Sequence, residues 1–281
     1  MVGEVFEEDS AHTAFFQGGK TGWDNIDTNL PSVFDFKLWR TSQEVFTGKK
    51  PMRSLRDVLK YDGLYGNINR VTVMTNNHDT DRFMSLPNAD KNSAKLHVAF
   101  MLATRGIPQL YYGEEVLMTG GHDPDNRKNF PGGWTEDSRS ALTKEGRTAD
   151  EQEMFEWVQK WIKLRKENRA IKEGKTIDLF YDNDVYVFAK NSVCKPICDM
   201  PFVFAFNSSD SEKRVEVSTD EFLPKDGEKD GIGIRKTYLE VIIGKSSERL
   251  NPVNGKFKLN ISPKSVVAFR GGFATFASTG D

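Results

Sequence analysis

The 281-residue sequence has few cysteines, no excess of charge of either sign and no long apolar run. Only Cys194 and Cys198 occur, too close together to staple a fold, so free thiols are predicted, and no His or Cys cluster completes a zinc site. Lys and Arg total 39 against 41 Asp and Glu, a net charge of -2, which gives no electrostatic reason to expect nucleic acid or an anionic membrane as partner. No apolar run could span a bilayer. A neutral partner is favoured.

The first part of the sequence alternates short apolar segments with helical patterns. Strands are predicted at 2–6, 33–36, 70–75 and 107–112, and helices at 11–17, 38–47, 53–62, 93–105 and 151–168. This rhythm is typical of parallel βα units. Beyond residue 168, apolar and polar residues alternate between turn clusters, which indicates antiparallel strands. Two domains are therefore predicted, 1–169 and 170–281.

Polar residues stand where three of these apolar segments end or continue into a loop. They are Glu4 within Val2-Gly3-Glu4-Val5-Phe6, the run 76–82 after the third strand, and the run 123–127 in the loop after the fourth. In a βα barrel, the carboxyl ends of the strands form the rim where catalytic groups gather. The three segments are therefore predicted to share one site.

These segments resemble glycoside hydrolase family 13, the α-amylase family. Val2-Gly3-Glu4-Val5-Phe6 is similar to its fifth barrel strand, Asn77-His78-Asp79 to the motif after strand seven, and the run 106–115 to strand eight. The runs 125–127 and 131–134 are similar to the neopullulanase and cyclomaltodextrinase group. The resemblance covers residues 1–168, and the β domain only in general pattern. It implies an α/β plus all-β chain: the carboxyl-terminal half of a (β/α)8 barrel followed by an antiparallel β-sandwich.

The resemblance also implies roles for five residues. Glu4 would be the general acid/base, desolvated by an apolar strand end, and Asp79 would hold two hydroxyls of the distorted sugar as the transition state forms. His78 would hydrogen-bond the same sugar. Asp125 and Arg127 would bind an outer sugar. Such a site acts on α-glucans and needs no organic cofactor. Calcium occurs in many family members, but its usual ligands lie mostly in the other half of the barrel, so no metal is predicted here.

Each role has a structural alternative. Glu4 could form a structural ion pair, His78-Asp79 could cap a helix, and Asp125 and Arg127 could form a surface salt bridge. Asp81 and Arg82 would support the site rather than act in it. The aromatic residues could stack on sugars or anchor loops; these are Trp23, Tyr111, Phe130 and Trp134.

The sequence lacks two further motifs of the family. Neither the Gly-x-Arg-x-Asp pattern that carries the attacking carboxylate nor the Asp-x-x-x-x-Asn-His motif is present. We therefore expect a fragment that begins at barrel strand five, is inactive alone and self-associates through exposed half-barrel edges. A non-catalytic glucan-binding module and an inert fragment are the alternatives. Linkage preference, the balance of transfer and hydrolysis, and localisation stay open.

Overall fold

The computed structural model describes residues 1–19, 25–191, 199–218, 220, 223, 234–244 and 249–276. The chain divides into two compact units, Met1–Glu167 and Asn168–Asp281, two residues from the predicted boundary. The predictions made for Trp23, Cys194 and Cys198 fall outside the described residues. Within the described part of the chain, no helix is long and apolar enough to cross a membrane.

The first unit combines helices with a parallel sheet. Its helices are α1 (Ser10–Phe16), α2 (Phe36–Phe46), α3 (Arg53–Leu59), α4 (Lys91–Ala103) and α5 (Ala149–Glu167), and its strands are β1 (Thr72–Met74) and β2 (Ile107–Gln109). Short 3-10 helices lie at Asp62–Leu64, Ile68–Arg70, Phe83–Ser85, Glu114–Val116 and Asp125–Arg127. The five longer helices were all predicted, within a few residues of their observed ends.

Four chain segments run side by side and parallel, in sequence order. Gly3 bridges to Val33, Phe34 bridges to Thr72, and β1 pairs with β2 from Thr72 opposite Ile107. Because all four run the same way, their carboxyl ends lie along one edge of the sheet. This edge brings together the loops that the sequence predicted to meet.

All four predicted strands are shorter than expected. The segment 2–6 pairs at Gly3 alone, and the segment 33–36 pairs only at Val33 and Phe34, because α2 already begins at Phe36. The predicted strand 70–75 is reduced to β1, and β2 ends at Gln109 rather than at Tyr112. The prediction that 2–6 is buried is wrong, because Val2 is 43% and Phe6 65% exposed. Gly3 pairs with Val33 on one side, and among the described residues no segment covers its other side.

Local signals explain where α4 begins and ends. Asp90 and Ser93 form a reciprocal capping box at its first turn, which satisfies N–H groups that the helix itself cannot. Its body is almost entirely buried. Gly106 follows with φ +86, and a Cβ there would collide with the Val71 carbonyl. Glycine therefore allows the chain to turn sharply into β2.

The second unit consists of a short helix, α6 (Arg169–Glu173), and antiparallel strands, as predicted. The strands are β3 (Thr176–Tyr181), β4 (Val185–Lys190), β5 (Phe202–Asn207), β6 (Lys213–Ser218), β7 (Ile234–Ile243), β8 (Arg249–Leu250), β9 (Lys256–Ile261) and β10 (Ser265–Phe276). One sheet has the order β3-β4-β5-β10-β7-β8, and β6 pairs with β9 in a second. Side chains of both sheets, such as Val187, Val203, Val215 and Leu259, share one core.

Candidate active site

The loops at the carboxyl edge of the first unit's sheet bring three of the predicted residues into contact. An Arg127 terminal nitrogen donates to Asp79 Oδ1 at 3.0 Å, and His78 Nε2 lies 3.4 Å from Asp79 Oδ2. Arg127 Nε also lies 3.1 Å from Asp123 Oδ1. The side chains of His78, Asp79 and Arg127 are 60%, 39% and 43% exposed, so a ligand could reach all three. We call these three residues the clamp.

The helix-capping alternative for His78 and Asp79 does not hold. The next helix, Phe83–Ser85, begins at Arg82 without a side-chain cap, and α4 is capped by Asp90. The Asp79 carboxylate instead faces Arg127 and His78. Asp79 is thus held by Arg127 and His78 at the surface.

The backbone of the clamp is fixed from the loop after β2. Asn126 Nδ2 donates to the His78 carbonyl at 2.8 Å and to the Thr80 carbonyl at 3.1 Å, and Arg127 Nε donates to the His78 carbonyl at 2.8 Å. Arg82 in turn donates from Nε to the Asn126 carbonyl at 2.9 Å. These contacts hold the His78 and Asp79 side chains toward solvent.

Arg82 supports the site, as the sequence predicted. It is 1% exposed, and its guanidinium lies 4.6 and 4.5 Å from the ring centroids of Tyr111 and Tyr112. It also donates to the Tyr112 carbonyl at 2.6 Å. The Tyr111 ring is therefore packed against an arginine, which favours an anchoring role over sugar stacking for that face of the ring. Asp81 faces His122 Nδ1 at 3.0 Å instead.

Asp125 lies apart from the clamp contacts. Its carboxylate accepts from the Gly121 N–H at 2.8 Å and faces Lys128 Nζ at 3.3 Å. These two donors hold the pKa of Asp125 below its usual range. Asp125 therefore fits the salt-bridge alternative, whereas Arg127, predicted beside it at an outer sugar, contacts Asp79 itself.

Glu4 directly follows the Gly3 bridge at the same edge of the sheet. The segment of Val33 and Phe34 separates it from β1, so two strand spacings, roughly 10 Å, lie between its strand and that of Asp79. The apolar surroundings predicted for Glu4 are wrong, because the residue is exposed between Gly3 and Val5. The cause is the uncovered side of its strand described above.

The remaining predicted aromatics differ in accessibility. Trp134 is 58% exposed in the loop before α5, where its backbone N–H donates to Asp137 Oδ2 at 3.0 Å. Phe130 instead packs against a cluster that includes Val116 and Met118. Trp134 is therefore open to a stacking ligand, whereas Phe130 anchors its loop.

One pair of buried polar residues was missed by the sequence analysis. Asn76 and Glu114 are 0% and 8% exposed, and Asn76 Nδ2 donates to Glu114 Oε1 in a short hydrogen bond. Burial raises the pKa of Glu114 to about 7, against lowering by Thr75, Asn76 and Arg82. The sequence signal was a Glu directly after Gly113 at the end of a predicted strand.

The acidic side chains of the described residues do not gather into a metal-binding group. Across the described ranges, no group of three or more His, Cys, Asp or Glu side chains is placed to hold a metal ion. Asp79, Asp125 and Asp81 are instead paired with Arg127, Lys128 and His122 in that order. These three carboxylates therefore do not form a calcium site.

Comparisons with known proteins identify the family. Residues 1–174 match the family model described as alpha amylase, catalytic domain. The match covers more than half of the chain, which therefore belongs to the α-amylase family, glycoside hydrolase family 13.

Two curated relatives are cyclomaltodextrin glucanotransferases. That of Bacillus sp. (strain 1011) is 34% identical over 161 residues, which cover 57% of this chain and 20% of the relative. One from Niallia circulans is 35% identical over 163 residues, with coverages of 57% and 20%. The chain thus spans about a fifth of the length of these relatives.

Solved structures show the fold. The α-amylase from Geobacillus thermoleovorans, solved with acarbose, aligns with a TM-score of 0.74 and 21% identity over 96% of this chain and 53% of that chain. AmyP, solved with maltose, aligns with a TM-score of 0.71 and 18% identity over 96% and 55%. The chain therefore has an amylase-like barrel fold together with antiparallel sheets.

Proposed function

We propose that this chain supplies the acid/base and the sugar clamp of a retaining α-glucan-cleaving site. Glu4 is the general acid/base, Asp79 stabilises the transition state and His78 binds the same sugar. The observation that carries the proposal is the exposed clamp at the sheet edge that also carries Glu4. The substrates are α-1,4-linked glucans such as starch, consistent with relatives named cyclomaltodextrin glucanotransferase.

The chemistry follows from the contacts. A retaining enzyme protonates the leaving oxygen with one carboxylic acid while a second carboxylate attacks the anomeric carbon. Asp79, oriented by Arg127 at 3.0 Å, can accept hydrogen bonds from two sugar hydroxyls, and these bonds strengthen as the ring flattens. Asp125 takes no part in this step, and Arg127 acts mainly by holding Asp79.

The attacking carboxylate is the part that this sequence lacks. No Gly-x-Arg-x-Asp pattern occurs among the 281 residues. Without it the covalent step has no nucleophile, so we propose that the chain alone does not hydrolyse glucans. The chain then represents barrel strands five to eight, residues 1–169, followed by a β-sandwich domain, residues 170–281.

The chain is also proposed to act without an organic cofactor or a metal of its own. The neopullulanase-like assignment rests on residues 125–127 and 131–134 and stays a proposal, since the relatives described above are glucanotransferases. A non-catalytic glucan-binding module is the second candidate. The exposed Trp134 favours it, because aromatic faces bind sugars without any chemistry.

Starch retention and sugar release test the proposal together. The purified chain is expected to be retained on insoluble starch and to release no reducing sugar above an E4Q control. D79N should lose retention, whereas D125N, an exposed carboxylate of the same region that does not contact Asp79, should keep it. Retention that D79N leaves unchanged would contradict the clamp. Sugar release that E4Q abolishes would contradict the proposed inactivity.

A further inference from the structure

The loop that carries His78 and Asp79, called the clamp loop below, begins at a buried polar contact. Asn76 lies two residues after the end of β1 and is 0% exposed. Its Oδ1 accepts from Gln43 Nε2 at 2.8 Å and from the Trp39 indole N–H at 3.4 Å, both on α2. Its Nδ2 donates to Glu114 Oε1. Asn76 thus uses both ends of its amide to join α2, the clamp loop and the segment after β2.

The two carboxylate oxygens of Glu114 have different surroundings. Oε1 accepts from Asn76, but Oε2 has no hydrogen-bond partner among the described residues, and the neighbouring Thr75 hydroxyl does not reach it in hydrogen-bonding geometry. An ionised buried oxygen without a donor is costly, whereas a protonated carboxyl is much less so. The site therefore accommodates Glu114 best as a neutral acid.

The charged and titratable groups around Glu114 are few. Arg82 lowers its pKa and Glu115 raises it. Across a small cavity lies His97 of α4, which burial keeps neutral by lowering its pKa to about 3, while its Nε2 contacts the Ser42 hydroxyl. The remaining lining is mostly apolar, including Phe83 and Met118. No group named here supplies Oε2 with a close counterion.

We propose that Glu114 is a positioning residue for the clamp, which acts through Asn76 on the loop that carries His78 and Asp79. This inference rests on the proposed function of the clamp. Glu114 does not contact the exposed side chains, so it takes no part in bond making. It fixes the point from which the loop leaves the sheet.

Hydrogen bonds within the segment 76–80 couple the position of Asn76 to the positions of His78 and Asp79. The Asp79 N–H donates to Asn77 Oδ1 at 3.0 Å, and the Asn77 N–H donates to the Thr80 hydroxyl at 3.3 Å. The Thr80 hydroxyl also lies 3.5 Å from Asn76 Oδ1. The segment 76–80 is therefore a closed turn, and a shift of Asn76 displaces His78 and Asp79 together.

The protonation state of Glu114 should make the order of the clamp loop depend on pH. Below its pKa of about 7, Glu114 is neutral and its contact with Asn76 stays in place. Above that pH, the Asn76 bond to Oε1 is itself strengthened by the charge, but Oε2 becomes a buried anionic oxygen without a donor, which favours opening of the site to water. The clamp loop should thus be better ordered at pH 6 than at pH 8.

Amide hydrogen exchange of the full chain tests this role without any sugar. Protection factors of residues 76–80, corrected for intrinsic exchange, should fall about tenfold from pH 6 to pH 8, the cost of one buried hydrogen bond. E114Q keeps an uncharged acceptor for Asn76 Nδ2, so its protection should stay high at both pH values. Protection in E114Q that falls as in the natural chain would overturn the proposal.

A swapped pair supplies the matched control. N76D alone places two carboxyls against each other and should lower protection of 76–80 about tenfold. The double variant N76D with E114Q restores one donor and one acceptor in reversed order and should recover protection to within about twofold. Failure of this recovery would contradict the proposal. If N76D does not fold, E114Q and the double variant still test the positioning role of Glu114.

Starch retention of the same variants separates this inference from the proposed function. Retention of the natural chain should weaken between pH 6 and pH 8, and that of E114Q should not. If the natural chain is never retained while the exchange results hold, the glucan function is wrong and the positioning of the loop stands. If retention depends on Asp79 but no variant alters exchange at 76–80, the positioning role is wrong.

Discussion

At the scale of single residues, the protonation of Glu114 should be visible in global stability. Burial raises its pKa from 4.5 in the unfolded chain to about 7 in the folded chain, so the folded chain holds the proton more tightly. Stability is therefore highest below about pH 4.5 for this group and falls as pH rises to 7, by on the order of 3 kcal/mol. Urea unfolding of the first unit should show that this decline is much smaller in E114Q. An equal decline in both proteins would contradict the shifted pKa.

A second prediction at this scale concerns Arg127. R127M removes the donor that holds Asp79 at 3.0 Å and should weaken starch retention several-fold, since charge-assisted hydrogen bonds exceed neutral ones in strength. K128M is the matched control, because Lys128 faces Asp125 rather than Asp79. Both residues are about equally exposed, so global stability should change little. Equal loss of retention in both variants would point to net charge rather than to orientation of Asp79.

The clamp and Glu114 differ in how far the sequence could predict them. His78 and Asp79 are neighbours in a motif, so one short segment was enough to predict them. Asn76 and Glu114 lie 38 positions apart, and a single sequence does not show that such residues touch. The exposure of Glu4 was also mispredicted, because an apolar segment indicates a strand but not whether both of its sides are covered.

At the scale of elements, Arg105 connects the end of α4 to the start of α2. It is 2% exposed and contacts Asp35 at 2.8 Å and Asp62 at 2.7 Å, and Asp35 also caps α2. R105M would leave buried Asp35 without this cation and should cost about 3–5 kcal/mol of unfolding free energy. K91M, which removes exposed ion pairs of α4, should cost much less than R105M. Chemical denaturation of both variants checks the difference, and similar losses would contradict the role of burial.

Helices were predicted more accurately than strands for a physical reason. The start of α4 is determined locally by Asp90 and Ser93, and its end is marked by Gly106. The extent of β2 instead depends on where β1 stops offering partners, which is not encoded within residues 107–112. In the second unit, β10 lies between β5 and β7 although it is last in sequence, and no periodicity predicts that order.

At the scale of the whole molecule, the first unit's sheet has two margins that no strand covers among the described residues. The outermost described segments are the one bridged at Gly3 and β2, and apolar residues are exposed at both, with Val2 at 43% and Ile107 at 50%. Unpaired backbone groups beside apolar side chains favour pairing with another chain. We therefore expect the purified chain to associate at micromolar concentration, through pairing of these margins.

Charged substitutions at one margin test this expectation. I107K places a cation on the β2 margin and should shift the chain toward monomer in light scattering, because charged side chains oppose pairing at open strands. V253K is the matched control: Val253 is 57% exposed and belongs to the second unit, not to that sheet, and its replacement should leave the association unchanged. A natural chain that is monomeric at all concentrations, with a cooperative melt, would show that the margins do not pair. Association that V253K reduces as strongly as I107K would indicate a general effect of added charge, which acts on both variants alike, and would contradict pairing at β2.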